Sequence, residues 1–173
     1  MTAIPTTPRR HADEIIDWLV ELGYTHCFFV AGGNIMHFLN GARSRFACIP
    51  FVHEVAAGIA AEYFNAVEAP GRAFALVTAG PGLTNIVTAI GGAFLESREL
   101  LVIGGQVKST DIATGGLRQR GIQEIDGVAI VRSISVYAER IERPMSKSAF
   151  VPFFAVRRSI LLLPGLAFFV LFF

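Results

Sequence analysis

Four short, largely apolar runs punctuate residues 26–104: His26 to Val30, Phe46 to Phe51, Ala73 to Thr78 and Leu100 to Gly104. Each leads into a glycine-bearing turn or directly into a helical pattern. A strand that is apolar on both sides needs cover on both sides, which a parallel sheet obtains from its crossover helices. The stretches between the runs supply them. Ala12, Ile15, Ile16, Leu19 and Leu22 share one face of a helix over Arg9 to Leu22, with acids on the other face and Gly23 as its stop. Further helices are expected over Ile35 to Leu39, Glu54 to Val67, Leu83 to Leu95 and Gln123 to Val131, and a last strand over Ser135 to Ala138. The pattern predicts an α/β fold, a three-layer sandwich whose mostly parallel sheet is flanked by helices. Such sheets bind ligands at the carboxyl ends of their strands. The glycine loops and Glu54 lie at such ends.

Two compositions meet in the chain. Over all 173 residues it is 53% hydrophobic and 17% charged. From Phe150 onward, eighteen of 24 residues are apolar, including seven of the fifteen phenylalanines. Without that tail the composition is ordinary for a globular domain. We read residues 8–148 as one domain and 149–173 as an atypical hydrophobic tail, an altered or truncated chain end. The unbroken part from Ser159 would make a helix of about 22 Å, short of the roughly 30 Å of a bilayer core, and Pro164 interrupts it. This argues against a membrane span. A buried strand or helix also fits the tail poorly, because it has no polar face.

The remaining bounds exclude several classes. A net charge of +1 with no basic stripe argues against nucleic-acid binding. Cys27 and Cys48 make no disulfide framework and no metal cluster, and read as buried reduced thiols of a cytoplasmic protein. His11, His26 and His37 lack metal-ligand spacing. The loop from Gly80 to Asn85 follows a strand and opens a helix, but Asn85 stands where a dinucleotide fingerprint has its third glycine, and no Gly-Lys-Ser/Thr follows.

Glu54 stands out among the carboxylates. It follows an apolar strand directly and opens a helix built mostly of alanine and other small residues. A sheltered acid there can pass a proton or hydrogen-bond a base-like nitrogen; the plainer role is a first-turn carboxylate favoured by the helix dipole. His53 beside it reads as structural. The Glu54 helix and the uncharged Leu83 helix are apolar almost all round, which predicts that one or both pack against another subunit or domain.

Five stretches in order, Gly23 to Gly33 (GYTHCFFVAGG), His53 to Tyr63 (HEVAAGIAAEY), Val77 to Asn85 (VTAGPGLTN), Leu101 to Val107 (LVIGGQV) and Gln123 to Asp126 (QEID), resemble the N-terminal, pyrimidine-binding domain of thiamine-diphosphate-dependent enzymes, most closely the acetolactate synthase group. The likeness covers about residues 10–147. It implies that Glu54 is the catalytic glutamate that hydrogen-bonds the cofactor's aminopyrimidine ring. It also implies that Gly32, Gly33, Thr78, Pro81, Asn85 and Gln123 line the pyrimidine side. Gln106 lies in a matching stretch without an assigned contact.

The resemblance further implies decarboxylation and carboligation of 2-keto acids, a transferase or lyase activity of the kind used in branched-chain amino-acid biosynthesis. The magnesium ion that holds the diphosphate belongs to a domain with a Gly-Asp-Gly motif, which this sequence lacks, and FAD to a central domain of some full-length relatives. The chain is therefore expected to be inactive alone and to work as a homodimer or with a complementary diphosphate-binding domain or subunit. The alternatives are a non-catalytic dimerising relic and the α subunit of a split 2-keto acid decarboxylase. Departures from the family pattern are Ala31 before the two glycines, the run Ala61 to Asn65 in place of Asp-Gly-Tyr-Ala-Arg, Glu99 in place of a proline, and Ile122 in place of a phenylalanine.

Overall fold

The computed structural model describes residues 9–67, 72–150 and the backbone of strand 167–172. In chain order the elements are α1 (His11–Glu21), β1 (Tyr24–Phe29), α2 (Met36–Ala42), β2 (Ala47–Pro50), α3 (Glu54–Val67), β3 (Arg72–Val77), α4 (Pro81–Leu95), β4 (Leu100–Gly105), α5 (Gly127–Val131), β5 (Tyr137–Arg140), α6 (Lys147–Phe150) and β6 (Ala167–Phe172). The six strands form one sheet in the order β2-β1-β3-β4-β6-β5, and every neighbouring pair is parallel. The expected α/β architecture with a parallel sheet is what forms.

Strand alternation sorts the core into two layers. Phe74, Leu76, Leu101 and Ile103 point to one face, where Ile15, Ile16 and Leu19 of α1 and Phe38 of α2 cover them. Ala73, Ala75, Val77, Leu100 and Val102 point to the other, under α3, α4 and α5. The alanines on that side let two nearly apolar helices lie close to the sheet. The helices also lie close to each other: a Cβ on Gly58 would fall 2.5 Å from the Ala89 Cβ and 2.6 Å from the Ile86 Cδ1. Real Cβ atoms do not approach so closely, so glycine at 58 sets the α3–α4 spacing.

Strand β5 falls two residues later than expected, α2 runs on to Ala42, and α6 is an added turn; three larger differences have physical reasons. Helix α4 starts at Pro81 rather than Leu83, because proline is pre-set for the first helical turn and its missing N–H is no loss there. Helix α5 starts at Gly127 rather than Gln123. Asp126 caps it, its Oδ1 accepting from the Ala129 N–H at 2.9 Å, and the residues before it are held in a loop. The tail contributes β6 between β4 and β5, where the sequence reading placed no strand; Leu101 pairs with residue 168 and Ala138 with residue 169. An apolar run without polar alternation suits a strand interior to a parallel sheet, which the missing polar face had seemed to speak against. Residues 151–166 and Phe173, the rest of the tail, lie outside the described residues. Among the described residues no helix is long and apolar enough to cross a membrane.

The departures at 62, 65 and 99 form a polar cluster around the amino end of β3, away from the glycine loops. Asn65 Nδ2 donates to the carbonyls of Ala73 (3.0 Å) and Glu99 (3.1 Å), and its Oδ1 accepts from the Ala73 N–H at 2.7 Å. Arg72 Nε donates to Glu99 Oε1 at 2.8 Å, and Arg98 pairs with the buried Glu62 at 3.2 Å. These residues satisfy one another and the ends of the strands. Their departure from the family pattern is a change in packing polarity remote from Glu54.

Candidate functional site

The order β2-β1-β3 makes a switch point: the chain leaves β1 towards β2 on one side and leaves β3 towards β4 on the other. Loops diverge there, at the carboxyl ends of the strands, the place where open α/β sheets bind their ligands. The turn after β1 brings Gly32 and Gly33, the end of β2 leads into Glu54, and the turn after β3 brings Thr78 and Gly80.

Glu54 is the first residue of α3 and is buried, 7% exposed. Its Oε2 accepts a hydrogen bond from Asn85 Nδ2 at 2.9 Å. Among the described residues that is the one hydrogen bond its carboxylate accepts. The other oxygen, Oε1, lies 3.6 Å from the point a Cβ on Gly82 would occupy. His53 is exposed, and its Nδ1 accepts from the Val55 N–H at 3.2 Å, a cap on the first turn of α3 in keeping with its structural reading.

Thr78 is wedged between two glycines. A Cβ on Gly32 would fall 2.3 Å from its Cβ, and one on Gly82 would fall 3.1 Å from its Cγ2. Gly80 turns with φ +61° and ψ −113°, a conformation open to glycine and strained for any other residue. Its Cα faces Gln123, where an added Cβ would meet the Gln123 Cβ at 2.7 Å and its carbonyl oxygen at 2.8 Å. Gln123 itself has φ +60°. The fold thus brings Glu54 and Asn85 into contact, Gly32 against Thr78, and Gly80 against Gln123. Pro81 sits exposed at the start of α4. Gly33 has open space around its Cα, so packing does not demand glycine there.

Three supporting residues were not assigned roles in the sequence. Asn34 bridges two loops: its Nδ2 donates to the Gln106 carbonyl at 3.1 Å and its Oδ1 accepts from the Thr78 hydroxyl at 3.4 Å. Gln106 is buried; its Nε2 donates to the Ile125 carbonyl at 2.6 Å and its Oε1 accepts from the Val107 N–H at 3.0 Å. It ties the end of β4 to the loop that carries Gln123. Glu124 accepts backbone N–H bonds from Arg120 (2.8 Å), Ala113 (2.7 Å) and Gly121 (3.0 Å), which hold its carboxyl below the usual carboxylate range. Asn34 carried a faint signal, as a turn-forming residue after two glycines. Glu124 and Gln106 lay in matching stretches but carried no signal of their contacts, since their partners are backbone groups that only the folded loop assembles.

A match to the description "Thiamine pyrophosphate enzyme, N-terminal TPP binding domain" spans residues 9–130. The chain belongs to this family. Three curated relatives give the scale of the likeness. The 2-hydroxyacyl-CoA lyase 2 of Caenorhabditis elegans is 32% identical over 138 residues, 78% of this chain and 20% of that protein. The chloroplastic acetolactate synthase 2 of Nicotiana tabacum is 34% identical over 125 residues, 70% of this chain and 18% of that protein. The mitochondrial acetolactate synthase of Schizosaccharomyces pombe is 38% identical over 120 residues, 68% of this chain and 17% of that protein. The chain spans about a fifth of the length of these relatives. It is an acetolactate synthase-like N-terminal domain for thiamine diphosphate, and the switch-point residues fall within its matched stretch.

Proposed function

We propose that this chain forms the pyrimidine half of a thiamine diphosphate site in an acetolactate synthase-like enzyme that decarboxylates and joins 2-keto acids. The observation that carries the reading is the buried Glu54 carboxylate at the sheet's switch point, with one oxygen engaged by Asn85 and the other facing Gly82. A flat, base-like ring fits this donor set. Glu54 Oε1 would hold the proton shared with a ring nitrogen, and the apolar shelter around it would keep that hydrogen bond strong. Asn85 would fix the orientation of the carboxylate. The glycine at 82 keeps a side chain away from Oε1, while Gly32, Gly33, Thr78, Pro81 and Gln123 would form the walls. When bound, thiamine diphosphate supplies the carbon nucleophile that lets a 2-keto acid lose carbon dioxide and join a second carbonyl compound.

Residues 8–148 would carry the family's pyrimidine domain, with strand 167–172 completing its sheet. The diphosphate and its magnesium ion would be held by a domain or subunit outside this sequence. Helix α3 supports a partner of that kind. Both of its charges, Glu54 and Glu62, are turned inward at 7% and 3% exposure, while Val52 just before it and Ile59, Tyr63 and Val67 along it are exposed. A helix with acids inside and apolar groups outside is built to be covered. A second copy of the chain or a complementary subunit would cover it. A cytoplasmic location rests on the free thiols of Cys27 and Cys48, while the plant and fission-yeast relatives carry chloroplast and mitochondrial names.

Acetolactate formation from pyruvate tests the reading. The chain alone is expected to give none. Combined with a diphosphate-binding half, thiamine diphosphate and Mg²⁺, it is expected to turn over. Activity of the chain alone would sink the half-site reading. A combined complex that binds but never turns over any 2-keto acid would favour the non-catalytic relic, and decarboxylation without carboligation the split decarboxylase.

A further inference from the structure

Cys27 and Cys48 stand apart from the switch-point residues and from everything proposed for them. In the sheet they are direct register partners on β1 and β2, so their side chains leave the same face side by side. That face is the α1–α2 layer, where Cys27 is fully buried and Cys48 packs at the margin, partly exposed. The expectation that both thiols are buried therefore holds for Cys27 and is corrected for Cys48. The reason is strand order: β2 is an edge strand, and among the described residues its outer side has no neighbouring strand. A surface pocket walled by Phe29, Leu39, Asn40, Arg43 and Cys48 leads to the partly exposed sulfur.

We propose that Cys27 and Cys48 are a peroxide-responsive dithiol pair that closes into a disulfide and ties the edge strand β2 to β1. The two positions differ in the way such a pair requires. Cys48 is reachable from solvent, as an attacking thiol must be. Cys27 is shielded and placed to resolve. The neighbouring Cys27 thiol holds the Cys48 thiol down at about 7, while the neighbouring Cys48 and burial push the Cys27 thiol well up.

The chemistry balances with hydrogen peroxide as oxidant. The Cys48 thiolate attacks one peroxide oxygen, the O–O bond breaks, and the departing hydroxide takes a proton to become water. Cys48 is left as a sulfenic acid. The Cys27 sulfur then attacks the Cys48 sulfur, the S–O bond breaks, and the hydroxide leaves as water with the Cys27 proton. Two thiols and one peroxide become one disulfide and two waters. The joined strands are those whose ends carry the Gly32-Gly33 turn and lead into Glu54.

The test is exposure of the full chain to hydrogen peroxide near neutral pH, trapping of remaining thiols with maleimide in denaturant, and peptide mass analysis without reductant. A Cys27–Cys48 linked peptide is expected, removed by dithiothreitol, and forming about tenfold more slowly when the chain is unfolded in urea first, because the sheet register no longer holds the sulfurs together. In Cys27→Ala the linked peptide vanishes and a sulfenic-acid probe labels Cys48. Three results would overturn the proposal: Cys48 untouched by peroxide, Cys48 driven to sulfinic acid while Cys27 still takes up maleimide, or a linkage through Cys48 between two chains. The wild-type chain alone decides among them, whatever the stability of the variant.

Discussion

Glu54→Gln in the completed holoenzyme is expected to lower turnover by roughly 10²- to 10⁴-fold, the range ordinary for loss of a positioned acid–base group. Glutamine keeps the size of the side chain and can still pair with Asn85, so the helix start and the site should survive. What is lost is an oxygen able to hold a proton against a ring nitrogen. The effect should therefore fall on kcat, with thermal unfolding of the variant close to wild type. Glu54→Asp retracts the carboxylate by one methylene and is expected to fall between the two. Unchanged turnover in Glu54→Gln would mean that the proton is held elsewhere. A parallel loss of folding would mean that Glu54 is a helix-start residue and nothing more.

The second large effect is structural and concerns the turn after β3. Gly80→Ala is expected to destabilise the chain by about 2–4 kcal/mol, from a strained backbone at positive φ together with overpacking. The Cβ it adds would meet the Gln123 carbonyl at 2.8 Å, and a backbone atom cannot rotate away as a side-chain tip can. Relief requires moving the loop that Gln106 and Glu124 hold in place, so the walls of the site should separate as well. Gly33→Ala is the matched control, since nothing lies within 4 Å of its added Cβ. Urea unfolding of the two variants beside wild type measures the difference. Equal stability for both would show that the Gly80 turn relaxes without cost and does not fix Gln123.

Much of this arrangement could be read in the sequence because it is written in local pattern. The apolar runs marked β1 to β4, and the small-residue helix from Glu54 to Val67 has the bounds its periodicity suggested. The glycine turns announced themselves by composition. What escaped depends on order in space. Strand order decided that Cys48 would be half-exposed and Cys27 buried. The tail looked alien because a strand interior to a sheet has no polar face to recognise. Glu62, Asn65 and Glu99 looked like losses from a family pattern until their partners Arg98, Ala73 and Arg72 stood beside them. The apolar helices α3 and α4 were expected to need a foreign partner. They partly cover each other through Gly58, while the outer side of α3 remains apolar and open.

The central claim is that the cofactor's ring rests at the switch point around Glu54. Amide chemical shifts of the isotope-labelled chain, followed as thiamine diphosphate is added, test it most directly. The account predicts shifts at Gly32, Gly33, Thr78, Asn85 with its side-chain amide, and Gln123, with Asn65 and Glu99 at the opposite end of the sheet unmoved. Shifts confined to the arginine-lined pocket of α1 and α2, around Arg9 and Arg45, with the switch point silent, would contradict it.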